Sequence, residues 1–169
     1  MKRLTTALLV AVLAATGFAA AVSADGHDAQ GLTGTWRVTI TLKDCVTGTP
    51  RPPFHSLLTF GSDGTLIETT NNAAFKAGQR GPGHGAWDRT GRRTFTAASE
   101  AFIMFSSDPS PAPPSPGFAK GLQRISQTIR IPHDDPDTFS SVASVQFYDD
   151  AGNLLNEGCA TAVGSRFGL

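Results

Sequence analysis

Thr35-Trp36-Arg37-Val38-Thr39-Ile40-Thr41-Leu42-Lys43 alternates apolar and polar residues with period two, the pattern of a half-buried strand. Seven further runs of strand character follow, so the expected strands cover 34–45, 54–60, 65–70, 85–89, 93–105, 118–131, 138–148 and 154–167. Gly61-Ser62-Asp63-Gly64, Thr90-Gly91, Pro132–Pro136 and Asp149–Asn153 break the runs with residues that accept positive φ, cap their own backbone or fix φ. No amphipathic helix is evident after the N-terminal segment. Eight sequential strands joined as hairpins describe an all-β fold, a single antiparallel up-and-down barrel of the size that holds one small ligand. In such a barrel the connections alternate between two ends. The long ones, 46–53, 71–84 and 106–117, then collect at one mouth, and the end where Trp36 sits is closed by short turns.

The N-terminus reads as an export signal. Lys2 and Arg3 precede an apolar run from Leu4 to Ala21, and Val22-Ser23-Ala24 offers small residues for cleavage after Ala24. The expected organisation is a signal peptide at 1–24, a flexible leader at 25–32 and one barrel domain at 33–169, with the mature protein secreted or periplasmic. The chain carries 14 basic and 14 acidic residues, and loss of Lys2 and Arg3 leaves the mature part slightly acidic. No basic stripe favours nucleic acid, and no second apolar run is long enough to span a bilayer. A monomer is the expected state.

The two cysteines, Cys45 and Cys159, stand far apart in sequence. In an oxidising compartment a disulfide is the expectation, with two free thiols as the alternative. If the first and last strands pair to close the barrel with Cys45 opposite Cys159, Val38 faces Arg166 and Trp36 lies one diagonal step from it, within reach of a long side chain. That parity turns Trp36, Val38, Ile40 and Leu42 inward, together with Gly158, Ala160, Ala162 and Gly164. Four small residues on one inward face leave volume unfilled. They either form a cavity wall or receive Phe95, Phe139 or Phe147 from other strands.

A Gly34-Thr35-Trp36 opening of the first strand with a late Arg166 resembles the calycin superfamily of small barrels, which includes the lipocalins. The resemblance covers most of 31–168. It implies that Trp36 plugs the closed end and that Arg166 packs across it, both in structural roles. The second motif of typical lipocalins is absent, with Asp149-Asp150-Ala151-Gly152 in its place. Haem-binding barrels of related shape depend on a late histidine ligand, and no histidine follows His133.

The densest motif is Gly81-Pro82-Gly83-His84-Gly85-Ala86-Trp87, in which His84 is a candidate polar handle at the mouth and Trp87 a candidate wall residue. With Leu42, Gly158 and Ala160 these make up the expected ligand-binding set. His55 with Glu68 or Glu100 is a candidate acid–base pair if they converge inside. His133-Asp134-Asp135-Pro136-Asp137 reads as a solvated turn, and the proline-rich 106–117 as a stiff cover beside the mouth. Cleavage after Ala24 exposes Asp25-Gly26-His27. Its amine, two backbone amides and imidazole form a square-planar nitrogen set suited to Cu(II) or Ni(II), an adventitious metal site, since the barrel itself requires no cofactor.

Three functions are compatible with this pattern. The first is a binding barrel for a small apolar or amphipathic molecule. The second is a cavity-based isomerase or cyclase. The third is a filled barrel with a structural role.

Overall fold

The computed structural model describes residues 31–104 and 121–168. Eight strands form one closed antiparallel barrel in sequence order: β1 Gly34–Lys43, β2 Phe54–Phe60, β3 Thr65–Thr70, β4 Gly83–Arg89, β5 Thr94–Ile103, β6 Gly121–Arg130, β7 Thr138–Tyr148 and β8 Leu154–Arg166. Closure of β1 on β8 leaves no unpaired edge. The fold is consistent with the calycin-like architecture, and the strand limits agree with the alternation pattern to within three residues. Alternation sets the inward face. Along β2 it buries Ser56, Leu58 and Phe60, and along β5 it buries Phe95, Ala97, Ser99 and Ala101.

The β2–β3, β4–β5 and β6–β7 connections lie where β1 begins. Gly61 N–H donates to Thr65 O at 2.8 Å, and Gly64 takes φ 85° to complete that turn. Asp63 Oδ1 accepts from the Thr65 amide and hydroxyl and so fixes the turn from within. Residues 44–53, 71–82 and 149–153 gather at the opposite end.

Above the short turns the interior is packed. Trp36, Phe60, Leu66, Phe95, Ile129 and Phe139 are all buried to within 1%. Their rings meet edge to face: Trp36 with Phe139 at 5.0 Å, Phe60 with Trp87 at 6.1 Å and Trp87 with Phe95 at 5.8 Å between centroids. Leu32 is also fully buried, and its carbonyl accepts the Trp36 indole N–H at 2.8 Å. Gly31 and Leu32, within the stretch expected to be a leader, are therefore part of the packed barrel end, to which Gly31–Thr33 supplies carbonyls.

Arg166 closes this end. Its guanidinium lies 4.2 Å from the Trp36 ring centroid. It donates to Thr33 O at 2.8 Å, to Gly31 O at 3.0 Å and to Asp137 Oδ1 at 2.9 Å. Three chain segments distant in sequence are thus tied by one side chain. Gly34 fits beneath it: its φ is 122°, and a Cβ there would stand 3.1 Å from Arg166 Nη1. The aspartate turn is accordingly more than solvated, since Asp137 is the counter-charge of Arg166.

Cys45 and Cys159 form a disulfide with Cα atoms 5.2 Å apart. The register differs from the one expected. Trp36 stands directly opposite Arg166, and Cys159 faces Lys43 rather than Cys45. The reason is that β1 stops at Lys43. Cys45 belongs to a turn in which Asp44 Oδ1 accepts the Val46 and Thr47 amides at 2.9 and 2.7 Å, so the bridge runs diagonally. The offset is even, so the inward parity of β1 and β8 is unchanged.

Candidate functional site

The inward face of β8 passes through both halves of the barrel and shows where filling ends. A Cβ at Gly164 would lie 2.3 Å from Phe139 Cε1, so the Phe139 ring occupies the space that glycine leaves. A Cβ at Gly158 would meet nothing within 4 Å. The two outcomes expected of the small residues, filling and cavity wall, both occur at different heights of one strand.

The unfilled half is a cavity of about 590 Å³ that opens among the long connections. One wall is apolar, built by Val38, Ile40 and Leu42 of β1, Phe54 and Leu58 of β2, and Val145 and Phe147 of β7, with Ala160 and Ala162 of β8. The facing wall is polar. Glu68 occupies an inward slot of β3 between Leu66 and Thr70, with only 4% of its surface exposed. Arg80, from the β3–β4 connection, reaches in to meet it. Its Nη2 donates to Glu68 Oε2 at 2.6 Å, its Nε to Gln123 Oε1 at 2.5 Å and its Nη1 to Gly81 O at 3.2 Å. The side chains of Arg80 and Glu68 are 4% and 5% exposed, so the pair is desolvated from the surrounding water and linked to the cavity lining. Ser99 of β5 and Gln123 and Gln127 of β6 continue the polar wall, while Ser141 of β7 stands on the apolar side. Ser141 is buried, and its hydroxyl has no hydrogen-bond partner among the described residues.

The β4 motif owes two of its glycines to this packing. A Cβ at Gly83 would stand 2.5 Å from Glu68 Oε2, and one at Gly85 would strike the backbone of Ala98. Glycine lets the carboxylate and the neighbouring strand approach.

Of the expected ligand-binding set, Leu42, Gly158 and Ala160 line the cavity. His84 does not. It is exposed on the outer face opposite Glu100, because Gly83, Gly85 and Trp87 take the inward positions of β4. Trp87 packs in the filled half, and its indole N–H donates to Gly61 O at 2.9 Å. The pairing of His55 with Glu68 or Glu100 is not formed. His55 is exposed, with Nδ1 3.3 Å from Thr39 Oγ1, while Glu100 is bound to Arg124 on the outer face. That ion pair raises the Arg124 pKa, the Glu100 hydrogen bond being the largest cause, and Arg124 also lies over the Tyr148 ring at 5.7 Å. Asp25, Gly26 and His27, the signal segment and the proline-rich stretch fall outside the described residues.

The alternation of β3 carried a signal for Glu68, since Leu66, Glu68 and Thr70 share one face and Leu66 marks it as inward. Arg80 and Gln123 had no such signal. Arg80 stands in a long connection, and Gln123 sits in a run of mixed polarity.

The disulfide suits an oxidising compartment, and among the described residues no helix is long and apolar enough to cross a membrane. In comparisons with known proteins, no family model and no curated sequence matches the chain.

Proposed function

We propose that this protein is an exported barrel that binds a small apolar or amphipathic molecule in the half of its interior nearest the long connections. The observation that carries the reading is the cavity of about 590 Å³, which has one apolar wall and a polar cluster facing it. A site of that size, concave and mostly apolar with a few placed polar groups, is the usual form of a small-molecule pocket. The packed half supports the same reading. Trp36, Phe60, Phe95 and Phe139 make a rigid floor, so the empty half is not simply a loosely filled core.

The test is titration of the oxidised protein with an uncharged solvatochromic dye, alongside native mass spectrometry of protein purified without denaturant. Saturable binding with a blue shift, or a retained small molecule, is the expected result. Absence of both overturns the reading.

A further inference from the structure

The polar wall also bears on which molecules the cavity takes, an inference that rests on the binding reading above. Arg80 is the guanidinium most nearly enclosed in the cavity lining, and it is already neutralised there: Glu68 Oε2 lies 2.6 Å from its Nη2. Gln123 and the Gly81 carbonyl take two more of its N–H groups. A guanidinium carries five N–H donors, so hydrogen-bonding capacity remains although net charge does not. The uncharged Ser99, Gln127 and Ser141 line the same cavity.

From this arrangement we infer that the cavity recognises a neutral amphiphile, a molecule with an apolar body and a hydroxyl or carbonyl head placed against the Glu68–Arg80–Gln123 wall, and discriminates against the corresponding carboxylate. A hydroxyl or carbonyl can bond to Arg80 or Gln127 without disturbing the ion pair. A carboxylate in the same place would give the cluster a net negative charge away from water, a costly state for a buried ion without its own partner. The mouth does not offset this. Lys43 and Arg51 line it, but so do Asp44 and Glu157.

The experiment compares dodecanol with dodecanoate as competitors of an uncharged dye, at a pH where the acid is ionised. The wild-type protein should bind dodecanol at least about tenfold more tightly, the penalty for an uncompensated buried charge setting the scale. The Glu68→Gln variant leaves Arg80 without its counter-charge, and its preference should shift toward dodecanoate by about tenfold or more. Equal or tighter binding of dodecanoate by the wild type overturns the inference and leaves the binding function standing. A preference that Glu68→Gln leaves unmoved also overturns it, because the head group then lies elsewhere. If neither dodecanol nor the dye binds the wild type, the binding function itself fails. The wild-type comparison decides the matter even if the variant does not fold.

Discussion

Each half of the barrel holds one arginine against a carboxylate, and the two arginines do different work. In the packed half, Arg166 lies over Trp36, keeps a quarter of its side chain in solvent and ties Gly31, Thr33 and Asp137 together. Solvent access lowers the cost of its charge, and the cation–π contact contributes about 0.5–2 kcal/mol. In the open half, Arg80 is enclosed, and its ion pair carries a desolvation penalty that its attraction and further hydrogen bonds must offset. A buried pair of this kind is poor evidence for stability. Its place in a cavity wall fits the recognition role proposed above. The comparison separates a half that holds the fold together from a half that the fold keeps available.

The largest expected effect lies in the packed half. Trp36→Ala removes a fully buried side chain packed edge to face on Phe139, together with the ring on which Arg166 rests, and should cost about 3–5 kcal/mol in denaturant unfolding. A cost below about 1 kcal/mol would mean that the floor is not the stabilising half. Next comes the bridge. It closes a loop of sequence separation 114, and replacing both cysteines with serine should cost about 2–4 kcal/mol, read from the thermal midpoint with and without reductant.

Two glycines on the same face of β8 sharpen the contrast. Gly164→Ala drives a Cβ into the Phe139 ring and should destabilise by about 1–3 kcal/mol. Gly158→Ala enters open space and should be neutral or stabilising by about 0.5–1 kcal/mol, since alanine loses less backbone freedom on folding. Equal effects at the two positions would erase the distinction between the halves.

The smallest effect is acidic. Hydrogen bonds from Thr47 hold the Asp44 carboxyl below its ordinary value of 3.8, and those from Asn153 do the same for Asp149. Depressed folded values contribute stability that is complete above the unfolded pKa and disappears as pH falls through the folded one. The connections at the mouth should therefore loosen only below about pH 4, seen as faster amide exchange at 44–49 and 149–153 while the fluorescence of Trp36 and Trp87 holds.

Strand order and barrel closure were legible because alternation and turn residues constrain the chain locally, the bridge because two isolated cysteines in a chain that reads as exported have only each other, and the Trp36–Arg166 contact through the calycin resemblance. The register of β1 on β8 was not, since the Asp44 turn takes Cys45 out of the strand and alternation cannot distinguish even offsets. The cavity wall was legible on β1 and β8, where Leu42, Gly158 and Ala160 follow from parity. On β4 a histidine amid glycines suggested a handle, yet the glycines are the inward residues and His84 faces water. The Glu68–Arg80–Gln123 cluster joins two strands and a long connection, and no spacing in the chain encodes such a meeting.

The central claim is that the half around Gly158 is a binding cavity above a packed floor. Titration of an uncharged dye into wild-type and Gly158→Trp protein, with thermal midpoints measured in parallel, tests it most directly. Saturable binding by the wild type and none by the variant, at closely similar midpoints, is the expected result. Equal binding by both proteins would contradict it.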